Sequence, residues 1–196
     1  NIGTKEEQKK LKKEFCIYRS NKMNYATIKD TDIANGQGVR ISLFVSGCTH
    51  HCKNCFNQEA WDFNFGKPFT SEVEDQILKM CEPSYIRGLT LLGGEPMHPN
   101  NQQGIYNLVK RFREKFGSKK DIWCYSGYIF DKDFVPGGRA YTDKTDFLLD
   151  NYDVLVDGPF VNDLKDISLK FRGSRNQRII DVKESRKQGK VVLYME

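Results

Sequence analysis

A chain of 196 residues is long enough to bury one substantial hydrophobic core. Its 38% apolar and 12% aromatic content is that of a globular protein and excludes the disordered class. The net charge of +5 is mild, and the Lys/Arg-rich stretches at 5–13 and 183–190 lack interleaved aromatics, so nucleic acid is not an expected partner.

Residues 4–19 read as a charged helix with Leu11 and Phe15 on one face, which sets residues 1–20 apart as an N-terminal arm and leaves 21–196 as the domain. Tyr25–Ile28 is a short strand candidate, Asn35-Gly-Gln-Gly38 a turn, and Ile41–Val45 a buried strand. Ser71 and Glu74 form a possible capping box opening a helix to about Cys81, stopped by Pro83. Gly88–Leu92 is the next strand. Ile105, Leu108, Val109, Phe112 and Phe116 share one face of a helix over about 101–116, with Gly117 as its C-cap. Asp121–Tyr125 is a strand, Thr145–Leu149 a short helix, and Tyr152–Val156 a further strand. Strands alternating with helices predict an α/β fold with a mainly parallel sheet.

Chemistry in such sheets collects at the carboxyl ends of the strands. The predicted strands end in Ser46-Gly47-Cys48, Gly93-Gly94-Glu95-Pro96, Ser126-Gly127-Tyr128 and Asp157-Gly158-Pro159. Small residues there let a ligand approach the backbone closely.

The first of these ends carries the strongest signal, Cys48-Thr-His-His-Cys52-Lys-Asn-Cys55. Three thiols within eight residues are soft ligands, suited to zinc or an iron–sulfur cluster. A cubane of four irons normally takes four cysteines, so three leave one iron open. A Cys3His zinc site using His50 or His51 is the competing reading, although one tetrahedron would have to close within a very short segment. Gly93-Gly94-Glu95-Pro96 shifts the balance, because bare backbone at two glycines and one carboxylate would hold an ammonium group beside the cluster. Cys16, Cys81 and Cys124 are scattered, and two of them read as buried small hydrophobes. His98 reads as a surface loop residue. Asp157 and Arg172 are read equally as ligand contacts or as a structural pair. No apolar run approaches the roughly 18–20 residues that span a bilayer, and the opening residues lack the apolar core of a signal peptide. No membrane is expected, and a reducing, cytoplasmic setting is.

Cys48-x3-Cys52-x2-Cys55 followed by Gly93-Gly94-Glu95-Pro96 resembles the radical S-adenosylmethionine superfamily. The resemblance implies a partial (incomplete) β/α barrel, since 196 residues are too few for eight complete units. It implies a [4Fe-4S] cluster held by Cys48, Cys52 and Cys55, with S-adenosylmethionine chelating the fourth iron. Asn54 and Phe56 would flank the last ligand and line the cofactor. Gly93, Gly94 and Glu95 would hold its methionine end, with Ser126 nearby. Asn54 stands where many superfamily members carry an aromatic residue, a place that Phe56 takes on the other side of Cys55.

A narrower likeness runs over roughly residues 24–182. Asp32-Ile-Ala-Asn-Gly-Gln-Gly-Val-Arg40, Leu43-Phe-Val-Ser-Gly-Cys48, Ser126-Gly-Tyr128, Val154-Leu-Val-Asp-Gly158 and Arg172-Gly-Ser-Arg-Asn-Gln177 are similar to the activating proteins of the anaerobic (class III) ribonucleotide reductase. That family implies reductive cleavage of S-adenosylmethionine and formation of a glycyl radical on the large subunit of the reductase. The implied electron donor is a flavodoxin or a thioredoxin-type reductant. The alternatives are an activase of another glycyl-radical enzyme such as formate acetyltransferase, a radical enzyme with a small-molecule substrate, and a non-catalytic zinc-binding interaction module.

Overall fold

The computed structural model describes residues 23–195. The expected N-terminal helix and Cys16 lie outside the described residues.

One eight-stranded sheet organises the described residues, in the order β3-β1-β2-β4-β5-β6-β7-β8. The strands are β1 (Asn24–Asp32), β2 (Val39–Val45), β3 (Lys67–Pro68), β4 (Ile86–Gly93), β5 (Asp121–Tyr125), β6 (Val154–Asp157), β7 (Arg178–Asp181) and β8 (Leu193–Met195). The four central strands β2, β4, β5 and β6 are parallel, as the alternation of elements predicts. Antiparallel pairings extend the sheet at both ends, so the whole is mixed and only its centre parallel. The physical reason lies in the connections. Parallel neighbours need a long crossover, and helices α1 (Ser71–Met80), α2 (Pro99–Phe116), α3 (Phe130–Asp133) and α4 (Thr145–Asn151) lie in those between the central strands. Between β6 and β7 the chain has only a three-residue 3-10 turn, and it returns antiparallel. A last helix, α5 (Val182–Gln188), joins β7 to β8.

Side chains alternate across the sheet with period two. Ile41, Leu43 and Val45 of β2, Leu89 and Leu91 of β4, Ile122 and Cys124 of β5 and Leu155 of β6 enter the main core, where Ile105, Leu108, Val109 and Phe112 of α2 meet them. On the other face, Trp123, Val154, Val156 and Ile179 form a second cluster. That face also holds Arg40, fully buried, bonded to Thr90 Oγ at 2.6 Å and paired with Asp121 at 2.6 Å.

Helix boundaries refine the expectations. Thr70, not Ser71, is the N-cap of α1, with no side-chain cap bond. Glu74 is turned inward instead and bonded to Arg111 at 2.8 Å, which removes it from any capping box. Helix α2 begins at Pro99, whose missing N–H costs nothing in a first turn. His98 caps it, its Nδ1 accepting from Asn100 N at 3.2 Å, which gives this side chain a structural task. Gly117 ends α2 at φ 55.

Candidate iron–sulfur and cofactor site

The cysteine loop begins where β2 ends. Val45 pairs with Gly93 in register, so the ends of β2 and β4 stand level and their loops leave the sheet side by side. Backbone bonds then join them: Gly94 N donates to Val45 O at 2.7 Å and Glu95 N to Gly47 O at 2.9 Å. On its other side the loop is held by Gly47 N to Ala60 O and Cys48 N to Trp61 O. Such close backbone approach requires glycine. A Cβ on Gly94 would meet Ala60 O and Gly47 O at 2.8 Å, and one on Gly47, whose φ is 94°, would run into the Phe63 ring at 2.2 Å.

Glu95 lies at the centre of this junction, 1% exposed. Its Oε1 accepts from Ser126 Oγ at 2.8 Å and Met97 N at 2.9 Å. Its Oε2 accepts from Gly127 N at 2.7 Å and sits 2.9 Å from His50 Nε2. A carboxylate only accepts, so the shared proton belongs to His50 Nε2. One side chain therefore ties the cysteine loop, the end of β4 and the end of β5 together. The His50 ring also packs edge-on against Tyr128, with centroids 4.5 Å apart. Asn101, near the start of α2, donates to Ser46 O and Glu95 O, both at 2.9 Å, and secures the same junction from below.

Cys48, Cys52 and Cys55 all line one cleft of about 560 Å³, together with Gly93, Gly94, Glu95, Ser126 and Phe160. The volume is in the range of small-molecule sites. Cys48 is buried, and burial, reinforced by the charges of Glu95 and the two neighbouring thiols, pushes its thiol up to about 12. Burial raises Cys52 as well. Iron binding therefore has to displace thiol protons. Among the described residues, no three His, Cys, Asp or Glu side chains converge to hold a single metal ion. Tetrahedral thiolates on one zinc, with bonds of about 2.3 Å, must lie within about 4 Å of each other. His50 Nε2 is committed to Glu95, and His51 is exposed and packed on Trp61 at 4.6 Å. With both histidines engaged elsewhere, the donor set of this loop is its three cysteines, the number that leaves one iron of a four-iron cubane open.

The remaining expected residues are distributed around this cleft. Asn54 takes a left-handed conformation, φ 59, and its Nδ2 donates to Asn162 Oδ1 at 3.0 Å, joining the cysteine loop to the 159–177 segment. Phe56 stands at the mouth, 88% exposed. Ser126 is buried behind Glu95. Asp157 accepts from Arg178 at 2.9 and 2.5 Å and from Phe130 N at 2.8 Å, a structural tie. Its hydrogen bond with Arg178 holds that guanidinium above its ordinary range. Arg172 is not its partner and donates to Gln177 O at 3.0 Å. Sequence reasoning missed His50 as a tie, Asn101 and Arg178. Each acts through a partner 21 to 55 positions away, and no local spacing announces such pairs.

Comparison with known proteins agrees with this geometry. The 4Fe-4S single cluster domain family matches residues 34–180, which spans all three cysteines, the Gly-Gly-Glu-Pro turn and strands β2 to β6. The chain is 45% identical to the anaerobic ribonucleoside-triphosphate reductase-activating protein of Escherichia coli (strain K12) over 157 residues, 79% of this chain and 96% of that one. It is 42% identical to the protein of that name from Vibrio cholerae, covering 80% and 97%. The enterobacteria phage T4 protein of the same name is 38% identical, covering 80% and 93%. The chain belongs to the family of anaerobic ribonucleoside-triphosphate reductase-activating proteins.

Proposed function

We propose that this protein is the activase of an anaerobic ribonucleotide reductase, a radical S-adenosylmethionine enzyme built on a partial β/α barrel. The supporting observation is the single cleft shared by three cysteine thiols and the half-buried backbone of Gly93 and Gly94, at strand ends brought level by the β2–β4 register. When bound, the reduced [4Fe-4S] cluster and S-adenosylmethionine supply the one-electron cleavage that ends in removal of a hydrogen atom from a glycine Cα of the reductase.

The chain's own residues bind, orient and exclude. Cys48, Cys52 and Cys55 would hold three irons and leave the fourth to the cofactor. Gly93 and Gly94 line the cleft, where the ammonium and carboxylate of the methionine end would lie. Glu95 serves this surface from behind, because its four donors fix the turn that carries the two glycines. Asn54 and Phe56 would flank the cofactor on the side of the last ligand, and Phe160 and Phe171 add apolar surface to the same cleft.

Anaerobic reconstitution with iron and sulfide tests the reading. Four irons per chain, S-adenosylmethionine cleavage under reductant, and a glycyl signal in the electron paramagnetic resonance of the reductase are expected. Uptake of zinc alone with no cleavage would overturn it. A glycyl signal on a different enzyme would move the assignment to another activase.

A further inference from the structure

The mouth of the cleft has a composition unlike the rest of the surface. Ile167 and Phe56, 94% and 88% exposed, are the two most exposed large hydrophobic residues of the described chain, and both border this cleft. Leu164, 41% exposed, lies on the same 159–177 segment as Ile167. The Asn54–Asn162 hydrogen bond joins the segments that carry them, so they form one rim. Isolated exposed hydrophobics are ordinary, but a cluster beside a reaction cleft marks an interaction site.

The charge on this rim is unbalanced. Residues 51–57 and 159–177 carry Lys53, Lys165, Lys170, Arg172 and Arg175 against Asp163 and Asp166. Arg175 is paired with Asp166 at 3.0 Å. Among the described residues the other four cations have no ion-pair partner, a state that several lysines elsewhere share, but Arg172 is the one described arginine without a carboxylate partner. Cations left unpaired around an apolar centre are complementary to a partner with the opposite edge.

We propose that this rim, Phe56 and Ile167 ringed by Lys53, Lys165, Lys170 and Arg172, is the docking surface for the reductase polypeptide, which meets it with an apolar centre and an acidic edge. The occupant follows from continuity, since the glycine to be attacked must reach the same cleft that holds the thiols. The inference rests on the proposed function and adds the surface and the chemistry of the partner. The rim shares Phe56 with the proposed cofactor wall, so the test leaves Phe56 unchanged and alters Ile167 and Lys170, which are solvent-exposed and carry none of the cofactor contacts proposed above.

The test compares reconstituted wild type, Ile167→Asp and Lys170→Glu. Each is measured for cleavage of S-adenosylmethionine by dithionite without reductase, for affinity toward the reductase large subunit at two salt concentrations, and for reduction by a flavodoxin. Cleavage without reductase is expected to stay within twofold of wild type. The Kd for the reductase is expected to rise at least tenfold in Ile167→Asp, and about threefold in Lys170→Glu with a shallower salt dependence. Wild-type affinity in both variants would overturn the proposal. So would normal reductase affinity with slowed reduction by flavodoxin, which would give the rim to the electron donor. The affinity measurement needs no turnover, so a wild type that cleaved nothing would refute the activity and still leave the docking surface tested.

Discussion

Glu95→Gln is the sharpest probe of how the site is built. The substitution keeps the volume and replaces one acceptor oxygen by an NH2 group. With the NH2 at the Oε2 place, Gly127 N–H loses its acceptor; with it at the Oε1 place, Met97 N–H does. His50 can change tautomer and the Ser126 hydroxyl can rotate, but a backbone N–H can do neither. One buried donor is therefore stranded in either orientation, at about 1–3 kcal/mol. The three remaining bonds lose their ionic character, which makes such bonds roughly twice as strong as neutral ones. An amide is cheaper to bury than a carboxylate, which returns part of the loss. The net expectation is about 2–4 kcal/mol. For a chain of this length each kcal/mol shifts Tm by about 2–4 °C, so the cluster-free variant should melt roughly 5–15 °C lower. Thermal unfolding followed by near-UV circular dichroism at neutral pH reads this directly. A Tm within about 1 °C of wild type would refute the four-donor tie and return Glu95 to a carboxylate free to hold an ammonium.

Two further outcomes follow from burial and charge. Burial pushes the Asp153 carboxyl up, but Lys183, Arg113 at 2.6 Å and Ile122 N at 2.7 Å outweigh it and hold the group below the ordinary range. A depressed carboxyl stabilises the fold above its unfolded value of about 3.9, and that contribution is lost as pH falls through the folded value. In urea titrations the stability gap between wild type and Asp153→Asn should accordingly be full at pH 6 and shrink below about pH 4; a gap unchanged down to pH 2.5 would contradict the assignment. Cys81 and Cys124 are fully buried, and burial pushes the Cys81 thiol up to about 12. Iodoacetamide on the native, cluster-free protein should therefore label Cys52 and Cys55 at least a hundredfold faster, by mass spectrometry, than Cys81 or Cys124. Equal labelling of Cys124 under native conditions would mean that β5 is not packed as described.

Legibility in the sequence followed the range of the interactions. Strand β5 was read to the residue, and α2 to within two, because period-two and period-3.6 patterns are local and amplified by many side chains. The short strands β3, β7 and β8 were not read at all. Two or three residues carry no readable periodicity in β3 and β8, β7 offers only the pair Ile179 and Ile180 where the equally short β6 has three apolar residues in a row, and long-range pairing makes them strands. The capping box failed because Glu74 found a stronger partner in Arg111, 37 positions away.

The sequence by itself determined the chemical repertoire: three thiols at a spacing no core requires, two adjacent glycines with an acid, and a strand before each. These are covalent facts of order and spacing, and they sufficed to place the chain near its family. Only the tertiary structure decided what each group does there. The β2–β4 register set the cysteine loop beside Gly94, at a distance a single Cβ would breach. Folding also surrounded Glu95 with four donors from three segments, so a carboxylate that reads from sequence as a cofactor contact is in addition the tie between those segments. Hydrogen-bond saturation is a property of converging chains, and no stretch of sequence contains it.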